Sequence, residues 1–213
     1  GERILMGKIR RGFVEEIRAI IWLSDMRGFT SLAERLPPQQ LVDLLNRYFD
    51  CQVPPIVKHG GEVLKFMGDG LLAIFPLTGG NGETCGICER ALACAREAQA
   101  LIQALGTPPG ASGHDAIRFG LALHIGQVMY GNIGGGNRLD FTCIGPAVNL
   151  AARLEKTAGQ LGQSIVASAE FAAQLRAEFT RLGECKVAGF SAPQALFGLT
   201  VRVDRNDKSA GLA

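Results

Sequence analysis

Residues 61–75 read GEVLKFMGDGLLAIF, and this stretch decides the fold. Two apolar runs, EVLKFM and LLAIF, flank Gly68-Asp69-Gly70. An Asp-Gly step between such runs is a strong short-range signal for an antiparallel hairpin. The turn also carries a carboxylate, Asp69, that neither strand needs for packing. Asp69 could serve the turn alone, or it could be a ligand at a strand end.

Upstream, Arg18 to Ser24 (RAIIWLS) is short, apolar and rich in branched residues, which predicts a buried strand ending at Asp25. RGFTSLAERL follows, with Ser31 and Glu34 in the spacing of a capping box. Pro37 and Pro38 open a longer amphipathic helix, in which Leu41, Leu44, Leu45 and Tyr48 share a face. Pro54 and Pro55 predict a kink or break in it, and Gly60-Gly61 a stop.

Downstream of the hairpin, Gly79 to Gly82 is a loop and Glu83 to Leu105 an Ala-rich helix. TPPGASGHD (107–115) is a further loop. IRFGLALHIG (117–126) and QVMYGNIG (127–134) read as consecutive strands, and Gly134 to Asn137 as a tip. Leu139 to Ile144 is a short strand, and Gly145-Pro146 starts a helix with proline at its favoured first position. The tail offers a strand at SIVAS, a helix at AEFAAQLRAEF and strands near KVAGF and ALFGLTV. This order predicts an α+β fold: an antiparallel sheet with a ferredoxin-like βαββαβ core, backed by helices. Residues 1–17 read as a linker or N-terminal arm, 18–203 as one domain and 204–213 as a frayed tail.

Length and composition fit a single globular domain of 213 residues. A net charge of +2 gives no field that would favour nucleic acid. Lys8, Arg10 and Arg11 cluster, which reads as a solvated linker. No apolar run reaches the roughly 18 residues of a membrane span, and no signal peptide is visible. Because the chain begins with Gly1, an upstream sensor or membrane region stays open. Of six cysteines only Cys85 and Cys88 form a CxxC pair, with no second pair or histidine pair at zinc spacing. Free thiols in a reducing cytoplasm are the expectation.

The chemistry concentrates in few places. Asp25 and Asp69 both follow or join buried strands, and two such carboxylates can hold a pair of Mg²⁺ or Mn²⁺ ions. Asn149 and Arg153 lie four apart, on one face of a helix, where an arginine could stabilise charge on a phosphoryl group. A plain surface helix explains them equally. Lys65 sits between Leu64 and Phe66, where the polar face of a strand is the simpler reading. Backbone amides of Gly28, Phe29 and Thr30 open a helix, and helix starts bind phosphate. His124 reads as a core histidine. No GxxxxGK[ST] or GxSxG is present, and Gly80-Asn81-Gly82 departs from the dinucleotide spacing.

Three segments in order carry a resemblance: WLSDMRGFTSLAE (22–34), GGEVLKFMGDGLLAIF (60–75) and RLDFTCIGPAVNLAARLE (138–155). Together they resemble the class III adenylate/guanylate cyclase catalytic domain, over about Arg18 to Leu199. The resemblance implies that Asp25, Asp69 and the backbone carbonyl of Met26 bind two divalent metals, Mg²⁺ or Mn²⁺. It implies base reading by Lys65 and Thr142, the pair of the bacterial and soluble-type subgroup. It makes Asn149 the ribose-orienting residue and Arg153 the transition-state arginine.

Ala188 stands where the family often has a basic residue before Gly189-Phe190, which leaves Lys186, two residues earlier, as a candidate phosphate contact; Arg118 is another. The expected activity is conversion of ATP to cyclic AMP at sites shared between two copies in a head-to-tail homodimer. A guanylate cyclase and a catalytically silent nucleotide-binding module are the alternatives. A cytoplasmic catalytic domain, governed by an upstream regulatory domain in the full-length protein, completes the expectation.

Overall fold

The structure, a computed structural model, describes residues 14–107, 117–135, 138–187, 190 and 192–200. The linker reading over 1–13, most of the 107–115 loop, and the tail at 204–213 lie outside the described residues.

The chain order is β1 (Val14–Arg27), α1 (Phe29–Arg35), α2 (Pro38–Asp50), α3 (Val53–Lys58), β2 (Glu62–Met67) and β3 (Gly70–Pro76). It continues with α4 (Asn81–Ala104), β4 (Arg118–Gly135), β5 (Arg138–Ile144), α5 (Pro146–Gln160), β6 (Ile165–Ser168) and α6 (Ala169–Ala172). A 3-10 turn (Arg176–Glu178), β7 (Phe179–Cys185) and β8 (Gln194–Leu199) complete it. One sheet runs β2-β3-β1-β4-β6-β8-β7, and β5 pairs with the C-terminal half of β4. All neighbours are antiparallel except β4 and β6. The first four strands stand in the order β2-β3-β1-β4, which is the expected ferredoxin-like core.

Alternation along β1 divides the core. Ile20 and Trp22 face the side covered by α1 to α4 and α6, with Trp22 packed between Phe75 and Phe119. Ala19, Ile21 and Leu23 face the other side, where α5 lies.

Several expectations needed correction. β1 begins at Val14 and runs two residues past Asp25, so the strand is twice as long as its apolar run. The added residues include Glu15, Glu16, Asp25 and Arg27, which pair with β4 while staying exposed or half-buried. Ser31 is not a cap: Gly28, with φ 78°, makes the turn out of β1 and is itself the N-cap of α1. The two strands read on either side of Gly126 are one strand, β4. Gly126 is not a turn; a Cβ there would meet the Ala147 Cβ at 2.5 Å, so the glycine lets α5 lie close on the sheet. The helix read over AEFAAQLRAEF stops at Ala172, and the strand read near KVAGF lies earlier, at β7. Phe179 then packs edge-on against Phe171 at 5.8 Å. The break at the proline pair is where it was expected, since α2 ends at Asp50 and α3 begins at Val53.

Candidate active site

Asp25 and Asp69 meet at one end of the sheet. β3 pairs with β1 as far as Ser24–Leu71, so the β2–β3 turn that carries Asp69 arrives beside Asp25. Gly70 makes the approach possible: a Cβ there would lie 3.1 Å from the Ser24 carbonyl oxygen and 3.7 Å from Asp25 Oδ1. Both carboxylates are half-buried, and they lie close enough that each bears on the other's proton. Desolvation, followed by that contact and by the charges of Asp69 and Glu155, pushes the Asp25 carboxyl from 3.8 up to about 7, with Arg27 opposing.

Two crowded, partly desolvated carboxylates are a poor arrangement on their own and a good one around a hard divalent cation. Among the described residues, no group of three or more Asp, Glu, His or Cys side chains is placed to hold a metal. The acidic side chains brought together at this strand end are two carboxylates, and Met26 lies between Asp25 and Arg27 on the same strand.

Behind the acidic pair stands a polar layer that the sequence did not signal. Ser24 donates to Gln52 Oε1 at 2.6 Å, in the joint between α2 and α3. Tyr48, fully buried on α2, has its hydroxyl pKa pushed up by burial and by the charges of Asp25 and Asp69. Arg27 forms an ion pair with Glu155 of α5 at 2.7 Å. Burial pushes the Glu155 carboxyl up, and Arg27 opposes this.

Lys65 owes its position to a β-bulge. The pairing shifts between Val63 and Lys65, so Lys65 stands opposite Leu72. An unshifted register would put it opposite Leu71, in the core beneath α1 to α4. Lys65 is instead exposed, on the α5 side of the sheet. β2 and β5 touch, and Tyr130 of β4 donates to Glu62 Oε1 at 2.8 Å, which curls this part of the sheet. Thr142, half-buried on β5, stands opposite Gly131, whereas Cys143 is buried in the cluster beneath α5. Asn149 and Arg153 are both exposed and line a shallow cleft with Ala152, Lys156 and Val187. Thus one chain brings Asp25 and Asp69 together but presents Asn149 and Arg153 outward, on a separate face.

The remaining expectations concern phosphate. Gly28 and Thr30 are exposed and Phe29 is half-buried at the start of α1. Arg118 stands opposite Arg27 at the first position of β4, and both line a cleft of about 390 Å³ beside Gly28. Lys186 is exposed immediately after β7. His124 is buried, with Nδ1 2.9 Å from Ser168 Oγ, as a core histidine would be. All six cysteines are free thiols. No helix among the described residues is long and apolar enough to cross a membrane.

The family described as the adenylate and guanylate cyclase catalytic domain matches residues 15–200. The chain belongs to this family. The cyclase domain is 29% identical over 184 residues, 85% of the chain, to adenylate cyclase 1 of Rhizobium meliloti. It is 31% identical over 158 residues, 74% of the chain, to an adenylate cyclase of Anabaena cylindrica. It spans 27% and 31% of the lengths of those relatives. Among solved structures it superimposes on the adenylyl cyclase CyaB of P. aeruginosa with a TM-score of 0.73 and 27% identity, covering 89% of this chain and 96% of that one. The guanylyl cyclase Cya2 gives 0.72 and 29%, with the same coverage.

Proposed function

We propose that this domain converts ATP to cyclic AMP and pyrophosphate at sites shared between two copies of the chain. The observation that carries the reading is the Asp25–Asp69 pair, two carboxylates pressed together at strand ends where packing requires neither. Both adenylate cyclase relatives support the choice of substrate. When bound, two divalent ions, Mg²⁺ or Mn²⁺, supply Lewis acidity toward the ribose 3′-hydroxyl and the triphosphate.

Asp25, Asp69 and the Met26 carbonyl would hold those ions. Lys65 of the second copy donates to adenine N1, and Thr142 accepts from the 6-amino group. Asn149 orients the ribose. The 3′-oxygen bonds to the α-phosphorus as the bond from that phosphorus to the β-bridging oxygen breaks, the electron pair leaves with pyrophosphate, the hydroxyl proton passes to solvent water, and Arg153 offsets the charge that builds up. The backbone amides of Gly28, Phe29 and Thr30, with Arg118 and Lys186, serve the phosphates. The outward placement of Asn149 and Arg153 supports a head-to-tail homodimer in which one copy's acidic pair faces the other copy's helix. In the full-length protein an upstream domain regulates this cytoplasmic unit.

The test is incubation of the domain with ATP or GTP and Mn²⁺, in separate reactions, over a range of protein concentrations. Cyclic AMP, with specific activity rising as dimers form, is expected. Cyclic GMP instead would overturn the base-reading roles of Lys65 and Thr142, an outcome that the likeness to a guanylyl cyclase makes worth measuring. Neither product, with dimers present, would point to a silent nucleotide-binding module.

A further inference from the structure

The last three residues of β1 are held on one side only. β3 pairs with β1 no further than Ser24, whereas β4 continues opposite Asp25, Met26 and Arg27. The residue opposite Asp25 is Gly120, which offers no side chain to brace it. Alternation puts Arg27 on the same face as Asp25, and from there it reaches α5.

Arg27 Nη1 lies 2.7 Å from Glu155 Oε1, and Nη2 donates to the Glu155 backbone carbonyl at 3.0 Å. The guanidinium thus donates one hydrogen bond to the main chain of Glu155 and lies at ion-pair distance from its carboxylate, so both contacts fall on one residue. Two glycines clear its path. A Cβ on Gly120 or on Gly159 would come within 2.5 Å of the guanidinium. The pair is largely buried, with side-chain exposures of 19% and 8%. Its partners lie 128 residues apart in sequence.

We propose that the Arg27–Glu155 pair is a positioning strut of the metal site, fixing the overhanging end of β1 against α5 and holding Asp25 at its working distance from Asp69. This rests on the reading of Asp25 and Asp69 as metal ligands. The pair also removes Glu155 from competition, because the third carboxylate acting on Asp25 is already engaged by a cation. Since α5 carries Asn149 and Arg153 on its outer face, the strut locks both working surfaces of one protomer into a single body.

The test compares the full chain with Arg27→Met/Glu155→Met, in which both charges leave together so that neither is stranded in a buried site. Mn²⁺ alone is titrated by electron paramagnetic resonance, and turnover of ATP and melting temperature are measured in parallel. The double variant is expected to melt within a few degrees of the parent, roughly the effect of a neutral exchange. It should need about tenfold more Mn²⁺ for half-saturation, and kcat should fall by about tenfold with KM for ATP little changed.

Should that variant not fold, Gly159→Ala displaces the guanidinium without altering either charge, at a helical position where alanine is favoured. It too should weaken Mn²⁺ binding. Parental Mn²⁺ affinity in the folded variant overturns the strut. If Mn²⁺ binding disappears in Asp25→Asn but no cyclic product forms in the parent, the cyclase reading fails while the titration still decides the strut. If Asp25→Asn binds Mn²⁺ like the parent, the metal site and the strut fall together.

Discussion

Asp25 and Asp69 stand half-buried at strand ends, where desolvation and then their closeness push the Asp25 carboxyl up to about 7, whereas Asn149 and Arg153 stand exposed on a helix face. The acidic half is assembled inside one chain by sheet register, a hairpin turn and a glycine that permits close approach. The other half is only a pattern on a surface, and gains meaning from what docks against it. The difference teaches that burial and register mark one group of residues, while spacing on an exposed helix is all that marks the other.

The harshest way to break this comparison is to neutralise the acidic half. Asp25→Asn or Asp69→Asn is expected to lower kcat/KM by roughly 10³-fold, measured as cyclic AMP formed with saturating Mn²⁺. Removing the exposed half should cost somewhat less: Arg153→Ala is expected to lower kcat by roughly 10² with a smaller effect on KM. An unchanged kcat would remove Arg153 from the site. Mixing the two inactive variants sharpens the contrast further. If the halves come from different copies, Asp25→Asn and Arg153→Ala in equal amounts should recover about a quarter of parental activity, because half of the dimers are mixed and each has one intact site. No recovery would mean that both halves act within one chain.

The mildest expected effect is on pH. The Asp25 carboxyl binds its proton more tightly in the fold than in the unfolded chain, where it would titrate near 3.8. Its protonation therefore stabilises the metal-free fold fully below that value, and this contribution is lost as pH rises through about 7. The melting temperature of the metal-free domain should decline over that window. A cation competes with the proton, so apparent Mn²⁺ affinity should rise with pH and level off above about 7, by calorimetry at each pH. A flat affinity between pH 5.5 and 7.5, about two units around the shift, would show that no proton leaves the Asp25 carboxyl on metal binding in this range.

The acidic half and its hairpin were legible in the sequence because their signals are local. Gly68-Asp69-Gly70 states its own turn, and RAIIWLS announces a strand that delivers Asp25. The break at Pro54 and Pro55 was legible for the same reason. What escaped depends on distant contacts. Gly126 reads as a stop in isolation and as a contact only once Ala147 lies over it. The bulge that turns Lys65 outward leaves no mark in EVLKFM. Arg27 carries no local signal, because its partner Glu155 is 128 positions away. The short α6 and the early β7 were missed where helix-forming composition was overridden by pairing with β8.

The central pairing of β1 with β4 carries a cost of its own during synthesis. Val14–Arg27 leaves the ribosome long before Arg118–Gly135, which must form its longer edge. β3 can cover the other edge early, since it follows by some 50 residues. Until β4 arrives, an apolar strand with an open edge is exposed to any other nascent chain. Closing so wide a loop is slow, as it is for other sheets dominated by non-local pairing. Production yield of this domain should therefore be governed less by its final stability than by how well β1 is sheltered, by crowding-dependent chaperones or lower temperature, during the interval before its last neighbour is made.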